Sequence, residues 1–548
     1  MFMQNNLKQN KISFIIHPIL FSIYPIIFIF SENINLLPVT EIVLPISIIV
    51  GITILMLFIL KIKIKNRNKI ALIISLIIIT FFSYGHYYDI INGSEFADSE
   101  ISRHRYLLIP YSGLAIIGII FFIKSNRLFN NATTVVNGIS VSIIVLISIN
   151  IMTDYSNGDF FGNPETTYEE KWLGMSTYNP GDELFLKNEN VKVEFEQKKY
   201  SPDIYYIILD EYPSDYALKQ FFSFDNNKFL EFLDEQEFHI VKNSFSNYPS
   251  TIQSLTSSLN MEYLDKITKE VDRDSKNYHL LNKLLSDNEV MKKFSSYGYD
   301  IVNIGALWGP NGSFKNVETN LCEFKEVNRD SLSRQLIEKS IIMHFYEKHF
   351  EQLRRDQIIC TYNEIENTSE ERTTPKFVFV HILSPHAPYI FGPNGENVSP
   401  GNSLDSNPWN ERNAHVDQIK FVNKNLIELI PKLLNSENKP IIILQGDTGV
   451  GYEIDWKSPS DVMVIERMSN LNAVYFPNND YSKIHDLTPV NTFRIIFNEY
   501  FDEENVLYEN RSYWSNSDKP YQYKDVSDIL KDVDNSAKII EKIYKELS

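Results

Sequence analysis

Cysteine is nearly absent from this chain: Cys322 and Cys360 are the two thiols in 548 residues. That excludes a scaffold held together by many disulfides. Positive charge is also short, with 52 Lys+Arg against 70 Asp+Glu and a net charge of −18. Such a balance excludes a broad polyanion-binding surface, and nucleic acid is not an expected partner. Internal repeats are missing, and so are low-complexity tracts beyond a bias toward Asn, Ile and Lys. A repeat architecture is therefore excluded.

What the chain does have is unevenly spread. Residues 1–152 hold 11 Lys+Arg and 6 Asp+Glu, leaving 41 and 64 of the totals of 52 and 70 for the remainder, so the two parts carry +5 and −23. The first part contains five apolar stretches, at about 13–31, 39–60, 69–88, 106–123 and 133–152. Each comes close to the roughly 20 apolar residues that cross a bilayer. The first has no small-residue cleavage site before a mature domain, so it reads as a retained helix rather than a signal peptide. Lys8 and Lys11, the run "KIKIKNRNK" at 61–69, and Lys124 with Arg127 fall in alternate short loops. The excess of Lys and Arg in those loops assigns them to the cytoplasm. Five crossings then place everything after residue 153 outside the plasma membrane, with the amino terminus inside. An outside location permits a Cys322–Cys360 bridge, yet two scarce cysteines are read first as unpaired buried thiols.

Residues 153–200 read as a juxtamembrane connector, and the hydrophobic period then changes. Short runs rich in β-branched and aromatic residues occur at 203–210, 300–304, 376–383, 440–447 and 472–477. Stretches of helical length lie between them at 225–237, 277–296, 331–354 and 411–435. Near-continuous apolar strands alternating with helices predict a mostly parallel central sheet flanked by helices. The expected organisation is thus a multi-pass α-helical membrane domain (1–152), a connector (153–200) and an extracytoplasmic α/β domain (201–548).

Ligands of such sheets bind beyond the carboxyl ends of the strands. Three expected strands end in suitable groups: Asp210 and Glu211 after "IYYIIL", His386 in "SPHAPY", and Asp447 in "QGDTG". Acidic groups converging there suit a divalent cation. Singly, Asp210 and Asp447 read first as caps of turns and helix starts; together at matched strand ends they read as a site. The stretch "NYPSTIQSLTSSLNMEYL" adds a turn and then a helix whose first turn carries Thr251. Anions are favoured at a helix start, and an adjacent cation would activate a hydroxyl there. Either Ser250 or Thr251 also suits a plain N-cap. Glu211, next to Asp210 on an extended strand, is expected to point away from it. His381, within its strand, reads as a core or supporting residue.

Taken in order, "PDIYYIILDEYPSD", "NYPSTIQSLTSSLN", "FVFVHILSPHAPYIF", "QGDTG" and "ERMSNLNAVYFP…LTPVNTFRIIFNEYF" resemble membrane-bound proteins with a sulfatase-like domain. These belong to the alkaline phosphatase superfamily, near the lipoteichoic acid synthases and the phosphoethanolamine or phosphoglycerol transferases. The resemblance covers roughly residues 200–515. It implies a metal-dependent hydrolase or transferase of phosphate-type esters, with one divalent cation (Mn, Mg, Zn or Ca), a membrane lipid donor and a surface glycan or lipid acceptor. It further implies Asp210 and Asp447 as metal ligands, Thr251 as the nucleophile, and His386 as a group that binds the phosphoryl or protonates the leaving oxygen. Trp308 matches a head-group contact. Where relatives read Gly-Asp-His-Gly, this chain has Thr448 in place of the histidine. Three readings follow: Thr448 ligates a harder metal through oxygen, Asp455 or Asp461 substitutes for it, or the fold persists as a binding or assembly protein without turnover. A sulfuric ester hydrolase fits less well, because "YPSTIQ" lacks the Cys/Ser-x-Pro-x-Arg pattern.

Overall fold

The structure is a computed structural model of the whole chain, and the residues it describes are 14–34, 37, 39–92, 104–156, 201–269, 271–276, 278–305, 314–323, 332–370, 374–398, 408–452, 454–478, 481 and 487–531. Trp308 and most of the 153–200 connector lie outside them. The chain divides into two compact units, residues 1–163 with 329–349, and residues 164–328 with 350–548.

The first unit is helical: α1 (His17–Glu32), α2 (Thr40–Lys63), α3 (Arg67–Asn92), α4 (His104–Lys124) and α5 (Asn130–Ser156). Four of these, α2 to α5, are long and apolar enough to cross a membrane, with mean hydropathy from 1.9 to 2.9. The expected first span is the exception. At 16 residues α1 is shorter, about 24 Å at 1.5 Å per residue. It starts beside Pro18, and its end is marked by the Asn33 side chain, which donates to the Ile29 carbonyl at 2.8 Å. Apolar side chains such as Leu55, Phe58, Ile117 and Leu146 are exposed on α2, α4 and α5, as expected where the surrounding solvent is hydrocarbon. The start of α1 is held by Asn137, whose Oδ1 accepts from the Ile16 and His17 amides at 3.2 and 3.1 Å. A short helix, Leu332–Glu338, also belongs to this unit.

The second unit is built on a seven-stranded sheet in the order β2-β7-β6-β1-β5-β3-β4. Its strands are β1 (Ile204–Leu209), β2 (His239–Ile240), β3 (Asp300–Gly305), β4 (Thr319–Leu321), β5 (Lys376–Ile382), β6 (Ile441–Gly446) and β7 (Asn472–Tyr475). The central pairs β6-β1, β1-β5, β5-β3 and β3-β4 are parallel, while β7 runs antiparallel to both of its neighbours. The fold class expected from the sequence is therefore what forms. Alternation along β1 shows why its run is apolar throughout. Tyr205, Ile207 and Leu209 enter one core cluster, and Ile204, Tyr206 and Ile208 enter the other. With both faces covered, no position on the strand is left for a polar residue.

Two expected helices are divided. Asn288 caps the Met291 amide and splits 277–296 into His279–Ser286 and Glu289–Ser296. The stretch 331–354 becomes Leu332–Glu338, a turn, and the start of Met343–Glu370. A hairpin of β8 (Tyr513–Asn516) and β9 (Lys519–Asp525) was not foreseen. The cysteine expectation is corrected outright: Cys322 and Cys360 form a disulfide, with Cα atoms 5.9 Å apart. Cys322 directly follows β4 and Cys360 lies on Met343–Glu370, so two distant stretches meet within bonding reach.

Candidate functional site

Parallel pairing brings the three chemistry-bearing strand ends to one edge. Leu209 is in register with Ile382 on one side and with Gly446 on the other, so Asp210 and Asp447 leave adjacent strands at the same level. The Asp210 amide donates to the Ile382 carbonyl at 3.1 Å, and the His386 amide donates to the Asp210 carbonyl at 3.0 Å. These bonds fix the His386 loop against the end of β1. Gly446 has no room for a side chain: a Cβ there would lie 2.3 Å from the Tyr212 carbonyl oxygen.

Asp447 is the hub. Its Oδ1 accepts from the Glu211 amide at 2.9 Å and its Oδ2 from the Thr251 hydroxyl at 2.5 Å. Its carbonyl accepts from the Ser254 hydroxyl at 2.7 Å, one turn further along helix Thr251–Asn260. Ser250 occupies the N-cap position but makes no side-chain cap, and Thr251, the first helical residue, spends its hydroxyl on Asp447 instead. The plain capping role weighed for these residues is thus not the one they take. Burial first, and then the nearby Asp210 carboxylate, push the Asp447 carboxyl up to about 7 against the pull of the Thr251 and Glu211 donors.

Asp210 is 1% exposed, and neither of its carboxylate oxygens has a hydrogen-bond partner. A buried carboxylate in that state is costly unless something positive meets it. His381 lies alongside, its Nε2 3.9 Å from Asp210 Oδ2, in the supporting place expected for it. The Thr448 hydroxyl is also buried without a partner. Asp455 and Asp461 are exposed, and Asp455 caps the Lys457 and Ser458 amides at 3.0 and 3.2 Å. Neither substitutes for the missing histidine. Among the described residues no three His, Cys, Asp or Glu side chains group to hold a metal. The donors that do converge are oxygens: Asp210, Asp447 and the Thr251 hydroxyl, with Thr448 beside Asp447 in sequence. This set suits a hard cation better than zinc.

Glu211 leaves the strand. Its φ of 59° takes it out of the extended strand, so its side chain is not directed by strand alternation. It forms an ion pair with Arg467 and approaches His386, whose Nε2 is 3.6 Å from Glu211 Oε1. Burial alone would raise the Glu211 carboxyl, but His386 and Arg467 outweigh it and hold it below its ordinary value. His386 Nδ1 is 2.6 Å from the Ala387 carbonyl oxygen. A donor at Nδ1 leaves Nε2 as the exchangeable atom.

Arg467, which sequence reading missed, binds three segments. Its Nε donates to the Pro249 carbonyl at 2.7 Å, and its Nη1 donates to the Gly449 carbonyl at 3.0 Å and to Glu211. It thereby ties the loop before Thr251, the loop after Asp447 and the end of β1 together. Behind His386 lies a second polar group: Tyr389 and Tyr452 hydroxyls 2.6 Å apart, with His415 Nδ1 3.2 Å from Tyr452. Burial lowers the His415 imidazole to about 3, so it is neutral.

No family model matches this sequence and no curated protein matches it. Solved structures similar in fold include the periplasmic domain of Escherichia coli EptC in complex with Zn, at 12% identity and TM-score 0.40, covering 60% of this chain and 94% of that one. The integral membrane lipooligosaccharide phosphoethanolamine transferase A of Neisseria meningitidis is 12% identical at TM-score 0.35, covering 85% and 89% of the two chains. A putative sulfatase from Bacteroides thetaiotaomicron is 12% identical at TM-score 0.36, covering 57% and 78%.

Proposed function

We propose that this chain is a membrane-anchored, cation-assisted hydrolase or transferase of phosphate-type esters, acting on a lipid or surface glycan outside the cell through Thr251. One observation carries the reading: the hydroxyl on the first helical residue donates to Asp447 at 2.5 Å, next to an Asp210 carboxylate buried without a partner. A nucleophile, its proton acceptor and an uncompensated negative pair meet at the edge where such sheets bind ligands. The sequence motifs resembling sulfatase-like membrane transferases support the same reading. Lys61, Lys63 and Lys124 close α2 and α4, which favours the cytoplasm for those ends. The Cys322–Cys360 bond favours an oxidising location for the α/β unit.

In the chemistry this supports, Thr251 Oγ attacks phosphorus, forming a Thr O–P bond as the P–O bond to the leaving alcohol breaks. The threonine proton passes to Asp447 Oδ2, and His386 Nε2 gives a proton to the leaving oxygen. The amides at the start of Thr251–Asn260 face the non-bridging oxygens. An acceptor hydroxyl, or water, then displaces Thr251 from phosphorus, its own proton passing to His386 Nε2 while Asp447 Oδ2 returns its proton to the departing Thr251 oxygen. A divalent cation held by Asp210, Asp447 and the threonine hydroxyls would neutralise the developing charge and favour the Thr251 alkoxide.

The second reading, a binding or assembly protein without turnover, is favoured by Thr448, where related motifs carry histidine. Metal content separates the two. Purified protein is expected to retain about one Mn²⁺ or Mg²⁺ per chain after equilibration, with Asp447→Ala retaining none, as read by elemental mass spectrometry. Equal metal in both chains, with no phosphodiesterase activity on added cation, would leave the binding reading. Thr448→His is expected to tighten Zn²⁺ by about tenfold or more, that is by at least roughly 1.4 kcal/mol, as measured by competition with a chelating dye. Unchanged affinity would show that residue 448 does not face the cation.

A further inference from the structure

Residues 329–349 begin and end within the sequence of the α/β part yet belong to the membrane unit. Their attachment there is specific. Leu332 and Leu336, 1% and 7% exposed, bury against Ile26, Ile29 and Phe30 of α1 and Ile34 and Leu37 beyond it. Asn33 Nδ2 donates to Gln335 Oε1 at 3.0 Å. The backbone then pairs with the carboxyl-terminal half of spanning helix α3: the Gly85 amide donates to the Lys339 carbonyl at 3.1 Å, and the Ile341 amide donates to the Phe81 carbonyl at 2.9 Å. A Cβ on Gly85 would lie 2.4 Å from the Glu338 oxygen and 2.5 Å from Lys339 Cα. Glycine is therefore required where the two backbones touch. Lys339 Nζ completes the contact with Asp89 at 2.6 Å.

The level of this contact is set by α3 itself. Its apolar stretch, residues 70–82, gives way to "SYGHYYD" at 83–89, and α4 opens with His104 and Tyr106. Tyr87 stacks on Tyr111 at 5.0 Å, and the Tyr84 hydroxyl bonds His104 Nδ1 at 2.9 Å. Such a band of Tyr and His marks the boundary of hydrocarbon and headgroups. It lies at the ends of α3 and α4 opposite to those near Lys69 and Lys124. Immediately after the contact come Ile341, Ile342 and Met343, and then Phe345 and Tyr346, which are 70% and 41% exposed.

We propose that residues 332–349 are an interfacial element of the membrane unit, resting at the outer headgroup level with Phe345 and Tyr346 inserted among phospholipids. The continuity of this apolar, aromatic segment with the Tyr and His band at the ends of α3 and α4, where Tyr106 is exposed, selects the bilayer as its occupant. The cations described at the contact are already matched, Lys339 by Asp89 and Arg334 by Glu338, so the attachment is apolar rather than charge-driven, and insensitive to the fraction of anionic lipid.

The test uses the full chain in nanodiscs, with Cys322 and Cys360 bonded to each other. A nitroxide is placed by Phe345→Cys, and in separate chains by Ile117→Cys, on the exposed face of α4, and Asp518→Cys, on the surface of the α/β unit. The ratio of oxygen to nickel-chelate accessibility at 345 is expected to exceed that at 518 several-fold, to fall below that at 117, and to stay constant between zwitterionic and anionic lipid. A ratio equal to that at 518 would overturn the proposal. Spin–spin broadening at 345 that vanishes on dilution with unlabelled chain would also overturn it, because a second copy would then be the occupant.

Discussion

Arg467→Ala is expected to lower the stability of the α/β unit by about 3–5 kcal/mol, the usual cost of leaving one member of a buried ion pair uncompensated. Arg467 and Glu211 side chains are 9% and 14% exposed, and two carbonyls, of Pro249 and Gly449, lose their donor as well. Chemical denaturation of the full chain in detergent, followed by near-ultraviolet circular dichroism, would measure the loss. Arg467→Lys is expected to recover only a small part, since an ammonium cannot reach three acceptors in the plane that a guanidinium spans. Arg467→Ala combined with Glu211→Gln is expected to be less destabilised than Arg467→Ala alone, because the stranded carboxylate is gone. A loss under about 1 kcal/mol for Arg467→Ala would show the pair behaving as a solvent-exposed one.

Thr251→Ala is expected to reduce phosphodiester turnover by about 10³-fold or more, the scale on which removal of a nucleophile acts. Thr251→Ser keeps the hydroxyl and is expected to stay within about tenfold, a change of roughly 1.4 kcal/mol in the barrier. The pattern distinguishes chemistry from folding. A residue that merely starts a helix would cost about 1 kcal/mol of stability on truncation and leave the rate per folded molecule unchanged. Metal retention should separate in the opposite sense, with Thr251→Ala keeping most of the cation that Asp447→Ala loses. Kinetics on bis(p-nitrophenyl) phosphate, normalised to folded protein, would decide the matter.

Much of this architecture was legible because single residues carried it. Strand β1 holds only aliphatic and aromatic residues, and β5 and β6 depart from that only at Lys376, His381 and Gln445, since both faces are covered, and that pattern announces a buried parallel sheet. The turn residues that follow each strand then placed Asp210, His386 and Asp447 at one edge. What stayed hidden depended on contacts between distant positions. Glu211 and Arg467 are 256 residues apart, and an arginine in the last turn of a helix looks like any surface arginine. The partners of Glu211 could not be read from strand logic, because its φ of 59° breaks the alternation that such logic assumes. The disulfide, likewise, depends on β4, a three-residue strand too short to show in sequence. Gly85 carries no signal in sequence, since its meaning lies in the backbone of Glu338 and Lys339.

The most direct measurement is the mass of the Thr251 peptide. Full-length protein in nanodiscs would be incubated with Mn²⁺ and a phospholipid donor labelled in its head group, quenched in acid, digested and mapped. The cation-assisted reading predicts a labelled phosphoester on Thr251, absent from Thr251→Ala and from Asp447→Ala and chased by an acceptor alcohol. An unmodified Thr251 in protein that retains its cation, or label carried by a different residue, would contradict it.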